Sequence, residues 1–243
     1  MKNCLIPALA LLAITLVSCN DDDAQPQTFY GESGKLGNGT ARTFYRVDAD
    51  NKPTAIGVAV SEEAIGSLPH GSDMVLQFPA QASALPFKHL YMGYMQAGHP
   101  PVKIYDLPHF DFHFYMIPNE ERLKYTPETI PMMMKAPAKG TIPSTFFEEA
   151  AVPLMGMHWA DGKSGEFNNQ KFNKTFLYGS YDTKVIFYEP MITLEYLKAT
   201  NETTDIIPLG AFPGSGMYPT KYTVSHNTAE KQYEVTLNTF VQR

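Results

Sequence analysis

The segment from Pro108 to Met116 constrains the fold of this chain more than any other, because polar and aromatic residues alternate along it. Such alternation is typical of a half-buried β-strand. The aromatic side is expected to supply a core, and the polar side is expected to be solvated, paired internally or gathered around a ligand. One side carries His109, Asp111 and His113, and the other carries Phe110, Phe112 and Phe114.

Short strand-like segments separated by turn residues recur along the rest of the chain. They predict a mainly β fold, an antiparallel β-sandwich or barrel with short helical insertions. Hairpins are predicted where Asp182-Thr183 and residues 227–230 separate two alternating segments. Short helices are predicted at residues 62–65, behind the N-cap residue Ser61, and at residues 146–150.

The first nineteen residues are interpreted as a lipoprotein signal peptide. Lys2 gives a short basic start, and the apolar run from Leu5 to Val17 is too short to span a membrane comfortably. The segment ends in Leu16-Val17-Ser18-Cys19, which resembles a bacterial lipobox. Cys19 is therefore expected to carry palmitate-type acyl chains and to anchor the protein in the outer membrane. An ordinary cleaved secretory signal is the alternative.

The polar residues 20–40 predict a tether, which leaves residues 41–243 as a single β-rich domain. The tether begins with the acidic run Asn20-Asp21-Asp22-Asp23. This run is either a solvated spacer or similar to the export signal that sends some lipoproteins to the outer face of the outer membrane.

Composition excludes several classes of function. The two cysteines, Cys4 and Cys19, both belong to the targeting segment, so the domain lacks thiols for disulfides, metal ligands or a nucleophile. The net charge is −6 without a basic cluster, which disfavours nucleic-acid binding. The expected partners are the membrane, through the lipid anchor, and a small molecule or glycan.

The polar side of the central segment predicts a metal site. Same-face neighbours on a strand lie about 6.6 Å apart and residues four apart lie about 13 Å apart. One ion can therefore take His109 with Asp111, or Asp111 with His113, but it can take both histidines only if a bulge bends the strand. Imidazole and carboxylate ligands suit Zn, Fe(II), Mn or Cu(II). The further candidate ligands are His99, His158 and Glu189.

The same residues also permit an interpretation without metal. Asp111 could form a carboxylate–imidazole network that fixes the tautomers of its neighbours. Single histidines such as His99 and His158 commonly lie on loops or rims. Two hypotheses therefore stand: a metal-site protein that could be a metal-dependent enzyme of unknown substrate, and a non-catalytic surface binding or assembly module.

Three blocks of the chain resemble a small family of secreted bacterial proteins: PHFDFHFY at residues 108–115, GMHW at 156–159 and YGSYDTKVIFYEPM at 178–191. This resemblance implies a single secreted domain and no particular activity. The central segment is also distantly similar to cupin-type metal sites, which carry two histidines separated by one residue. Here the two histidines are four residues apart, so the cupin ligand set is not carried over.

Overall fold

The structure, a computed structural model, describes residues 25–211 and 213–243, so the targeting segment with Cys19 lies outside the described residues. The described residues form fourteen β-strands and four short α-helices. Strands β1 to β14 are, in chain order, Gln27–Tyr30, Gly34–Leu36, Gly39–Val47, Pro53–Ser61, Ser72–Gln77, His89–Met95, His109–Tyr115, Phe146–Val152, Gly156–Asp161, Lys174–Tyr181, Lys184–Thr193, Glu202–Ile206, Met217–Asn227 and Gln232–Gln242. Helices α1 to α4 are Glu62–Ile65, Asn119–Arg122, Ile130–Met133 and Leu194–Ala199.

The strands form two seven-stranded antiparallel sheets that pack as a β-sandwich, which confirms the predicted fold class. The first sheet has the order β1-β3-β4-β14-β13-β12, with β2 paired to β3, and the second has the order β5-β6-β7-β11-β10-β9-β8. Both predicted hairpins are present, as β10–β11 and β13–β14. Asp182 and Thr183 adopt φ angles of 42° and 69° in the first of them, the left-handed conformation that a tight hairpin turn requires.

Strand β7, which carries the alternating segment, lies inside the second sheet between β6 and β11. Its three phenylalanines, Phe110, Phe112 and Phe114, are fully buried in the main core between the two sheets. The prediction of a half-buried strand is wrong, because all seven residues of β7 are buried. The polar side is covered as well, since the loop before β7 and the edge strand β8 pass over it.

The predicted helix at residues 146–150 is also wrong, because these residues belong to β8 and pair with β9. Phe146 is buried, and its ring centroid lies 5.2 Å from that of Tyr178. Pairing with β9 gives the backbone hydrogen-bond partners that a helix of one turn would leave open. The predicted helix at residues 62–65 is confirmed, and the Ser61 side chain accepts a hydrogen bond from the Ala64 N–H.

The first sheet begins inside the segment that was predicted to be a tether. Residues 27–30 pair with residues 44–47 of β3, and the ring of Phe29 stacks on that of Tyr45 at 6.3 Å. This apolar contact and the β-ladder order a stretch whose polar composition suggested a linker. Among the described residues, no helix is both long and apolar enough to cross a membrane.

Candidate metal centre

The predicted ligands meet at a cavity of about 350 Å³ on the outer face of the second sheet, away from the core between the sheets. Strands β7 and β11 form its floor, while β8, β9 and the loop before β7 contribute to its walls. His109 lies beside the cavity, with its Nε2 atom 3.1 Å from Asp111 Oδ1. The other five predicted residues line the cavity: His99, Asp111, His113, His158 and Glu189.

Three of these residues form a first group, called site 1: His99, His109 and Asp111. Nε2 of His109 lies 3.1 Å from Asp111 Oδ1, and Nε2 of His99 lies 3.7 Å from Asp111 Oδ2. The Nδ1 atoms of His99 and His109 each lie 2.6 Å from a backbone carbonyl, that of Pro100 and that of Leu107 respectively. A carbonyl can only accept, so Nδ1–H donates, and in the neutral rings both Nε2 lone pairs are free to bind a cation.

The other three residues form a second group, called site 2: His113, His158 and Glu189. Nε2 of His113 lies 3.1 Å from Glu189 Oε1, and Nε2 of His158 lies 3.6 Å from Glu189 Oε2. The two Nε2 atoms are 3.4 Å apart. His158 Nδ1 donates to the carbonyl of Ala150 at 3.3 Å, which again directs the free lone pair of Nε2 to the centre of the group.

These separations match those of atoms bound to one small ion. Zinc lies about 2.0–2.1 Å from imidazole nitrogen and carboxylate oxygen, so two ligands of a tetrahedral ion are about 3.4 Å apart. The three separations in site 2 are 3.1, 3.4 and 3.6 Å. Both groups contain two imidazoles and one carboxylate, a composition known from catalytic zinc sites and from non-haem Fe(II) sites.

Several buried atoms of the two sites have no hydrogen-bond partner. They are Asp111 Oδ1 and His109 Nε2 in site 1, and Glu189 Oε2 and His113 Nδ1 in site 2. A buried polar atom without a partner costs about 1–3 kcal/mol, and more for a charged group. All of these atoms except His113 Nδ1 face other lone-pair atoms of their own group. A cation in each site would satisfy Asp111 Oδ1, His109 Nε2 and Glu189 Oε2.

Burial keeps the imidazoles of site 2 neutral. It lowers the pKa of His113 to about 3 and that of His158 to about 4, so both rings are available as ligands at neutral pH. Burial also raises the pKa of Glu189 well above its ordinary value, and the negative charges of Asp111 and Glu149 raise it further. The raised pKa favours the protonated form of Glu189 in the metal-free protein, and a bound cation would displace that proton.

Site 1 has different electrostatics, because its carboxylate is ionised. Burial alone would raise the pKa of Asp111, but His109 and His99 outweigh burial and lower it below the ordinary value. Burial alone would also lower the pKa of His99, but the interaction with Asp111 dominates and raises it. The lowered pKa favours the charged form of Asp111.

Strand register explains why the two sites form. Residues His109, Asp111 and His113 face the same side of β7, and Asp111 is directly opposite Met191 of β11. The side chain of Glu189, two residues before Met191, consequently projects next to His113.

A glycine brings His158 to the same place. Gly179 of β10 pairs with His158 on one side and with Phe187 on the other. A Cβ atom at position 179 would overlap the Phe187 ring, so only glycine lets that ring lie across β10. The ring centroid of Phe187 lies 4.9 Å from that of His113 and 5.1 Å from that of His158. Phe187 therefore holds both imidazoles of site 2 in place.

The structure selects among the pairings that the sequence left open. Asp111 groups with His109, and His113 groups with Glu189 instead of with Asp111. The six predicted residues therefore form two adjacent groups that belong to one cavity, not a single ligand sphere. Whether metal binds at either group stays a prediction.

Glu149 is a cavity residue that sequence analysis did not identify. It is the extra residue of a β-bulge in β8, between Glu148 and Ala150, and bulges commonly redirect a side chain. Burial raises the pKa of Glu149, although His99 opposes this shift. The signal in the sequence was an acidic pair inside the apolar segment 146–152.

Comparison with known proteins gives one local similarity. A family model described as "TTHB210-like: Hypothetical protein TTHB210" matches residues 48–94. This stretch runs from the end of β3 almost to the end of β6 and contains none of the six candidate ligands. No curated protein and no solved structure matches the chain.

Proposed function

We propose that this protein binds two divalent transition-metal ions, one at site 1 and one at site 2, and that it is a metal-dependent enzyme of the bacterial cell envelope. The observation that carries the metal proposal is the geometry of site 2. Two imidazole nitrogens and the two carboxyl oxygens of Glu189 make contacts of 3.1 to 3.6 Å there, and one of the oxygens lacks any hydrogen-bond donor. A metal-free polar network would place a donor opposite each acceptor, whereas one proton on Glu189 can satisfy only one of the three contacts of site 2 and leaves lone pairs opposite one another in the rest.

The ligand set narrows the identity of the ions. Imidazole nitrogen and carboxylate oxygen suit Zn, Fe(II), Mn and Cu(II), whereas soft-metal sites usually contain thiolates, which this domain lacks. Two imidazoles and one carboxylate supply three of four tetrahedral positions. The fourth position at each ion would face the cavity and would be open to water or to a substrate.

The proposal of catalysis rests on these open positions. An ion held by the residues of either site would make its bound water a stronger acid than bulk water and would supply a nucleophile near neutral pH. Glu149 stands on the wall of the same cavity and could accept a proton from such a water. Hydrolysis is therefore the reaction class that we propose.

The location in the envelope is proposed from the sequence. Residues 16–19 form the lipobox-like pattern, and several acyl chains are required for stable anchoring because one chain binds membranes only marginally. Cys19→Ser should move the protein from the membrane fraction to the soluble fraction. Unchanged fractionation of this variant would refute the lipid anchor.

The metal proposal is tested by elemental analysis of protein that is purified without a histidine tag and then dialysed against each candidate metal. We expect two ions per chain for the wild type and about one for Glu189→Gln, since the amide lacks the charge that holds the cation. The matched control is Glu202→Gln, an exposed glutamate on β12, which should retain both ions. Absence of bound metal in the wild type would favour the alternative, a non-catalytic binding or assembly module with a structural His/Asp network.

A further inference from the structure

The cavity lining divides into one set of titratable side chains and an otherwise apolar surface. All polar side chains among the described residues that line it belong to site 1, to site 2 or to Glu149. No lysine, arginine, serine, threonine, asparagine or glutamine occurs among these lining residues. The remaining wall is formed by Met95, Pro100, Ala150, Val152, Met155, Leu177 and Met191.

Strand geometry explains this composition. Met95 pairs with His109, and Met191 pairs with Asp111, so thioether side chains flank the floor in the neighbouring strands. Val152 lies at the end of the edge strand β8 and is only partly buried. The polar side chains therefore come from the floor strands and from three wall residues, His99, Glu149 and His158, whereas the rest of the cavity surface is apolar.

Charge further restricts what can occupy the cavity. Three carboxyl groups line it, those of Asp111, Glu149 and Glu189, without a lysine or arginine among the lining residues to balance them. If the part of a ligand that extends away from the ions carried an anionic group, that group would lose its hydration and find no partner, which is costly. A cationic group there would find only Glu149 as a partner and would be repelled by the ions.

We propose that the cavity binds a small molecule with a single metal-directed polar group and an uncharged, mainly apolar body. This inference rests on the proposed metal centre and adds the class of substrate. The polar group would reach the open positions of the ions, and the body would contact the methionines, Leu177 and Val152. A volume of about 350 Å³ lies near the lower end of the usual range for small-molecule sites, so the ligand is small.

The test uses zinc-loaded protein and three metal-binding probes that differ only in their bodies: benzohydroxamate, para-carboxybenzohydroxamate and para-aminomethylbenzohydroxamate. Isothermal titration calorimetry gives the affinity of each probe. We expect benzohydroxamate to bind at least about tenfold more tightly than either charged probe, because the walls leave a buried charge unpaired.

A change in the wall should alter this preference in a predictable direction. Val152→Lys places an ammonium group beside the cavity and should raise the affinity for the carboxylated probe relative to benzohydroxamate by about tenfold. The matched control is Ile206→Lys, which adds the same charge on β12 at a side chain that is 74% exposed and lies outside the cavity. The control should keep the preference of the wild type.

Equal affinities, tighter binding of a charged probe or no binding of any probe to the zinc-loaded protein would each overturn the inference. The zinc content of the same samples separates this failure from failure of the proposed function. A protein that binds zinc but does not prefer the uncharged probe refutes only the substrate class. A protein that takes up no zinc refutes the metal centre itself.

Discussion

Replacement of Glu189 by glutamine separates metal binding from folding, because the protonated acid and the amide have nearly the same shape. In the metal-free protein the protonated form of Glu189 is favoured, since burial and the charges of Asp111 and Glu149 raise its pKa. The amide should therefore leave the free energy of unfolding of the metal-free protein nearly unchanged at mildly acidic pH. A metal-loaded site 2, in contrast, needs the carboxylate charge.

The pH dependence follows from the direction of this shift. The pKa of Glu189 is higher in the folded than in the unfolded protein, so the unfolded chain releases its proton first as the pH rises above about 4.5. The metal-free wild type should lose stability above this value, until the pH reaches the folded pKa. Glu189→Gln cannot lose a proton there, so the metal-free variant should become the more stable protein as the pH rises.

Bound metal should make the wild type more stable than Glu189→Gln. An ion present at a hundredfold excess over its dissociation constant adds about 2.7 kcal/mol to the free energy of unfolding. For a chain of this size, each kcal/mol raises the melting temperature by about 2–4 °C, so each ion should raise it by about 5–10 °C. The variant should show about half of the wild-type rise, because site 1 still binds.

The assay is thermal unfolding of the wild type, Glu189→Gln and the control Glu202→Gln, each with chelator and with added Zn²⁺. A variant that keeps the full metal-dependent rise would refute the role of Glu189 as a ligand. A large loss of stability in the metal-free variant would show that the charged carboxylate supports a structural network instead.

Three further predictions concern packing and charge. Phe112→Ala should lower the free energy of unfolding by about 3–5 kcal/mol, because the ring is 0% exposed in the main core. Unchanged denaturant unfolding of this variant would refute the assignment of strand faces. Gly179→Ala should displace the Phe187 ring and weaken zinc binding, which is measured by competition with a chromogenic chelator. An unaltered zinc affinity would show that Phe187 does not position site 2. Glu234→Gln should cost about 2 kcal/mol at neutral pH, since Arg46 donates two hydrogen bonds of 2.8 Å to this carboxylate. Burial alone would raise the pKa of Glu234, but Arg46 lowers it. The stability difference between wild type and Glu234→Gln should therefore vanish as the pH falls below the folded pKa of Glu234. A stability difference that persists in acid would contradict the ion pair.

The sequence was sufficient for the fold class and for the central strand, because both depend on local patterns. Alternation at residues 109–114 places three phenylalanines on one side, and the structure buries all three between the sheets. The hairpin at Asp182 and Thr183 is also determined locally, by two alternating segments around a short turn. Strand β1 of the expected tether was missed, because it pairs with residues of β3 that are more than ten positions away along the chain.

The composition of the two sites depends on features that a single sequence does not encode locally. Spacing on β7 allowed Asp111 to pair with either histidine, and the choice depends on the register between β7 and β11. The contribution of His158 requires Gly179 to make room for the Phe187 ring, which is a contact between three strands. Glu149 points into the cavity only because β8 contains a bulge, where the sequence predicted a helix.

Side chains of β7 alternate between two faces, so core residues and candidate ligands lie on opposite sides of the strand. Phe110, Phe112 and Phe114 face the other sheet, while the candidate ligands face away from it. Changes on the ligand side therefore leave the main core intact, although the polar side is buried too. Burial of that side costs energy unless its carboxylates and imidazoles have partners, and the structure provides too few hydrogen-bond donors for Asp111 and Glu189. A cation is the partner that we propose for these groups, and it would let a fully buried strand carry three titratable residues.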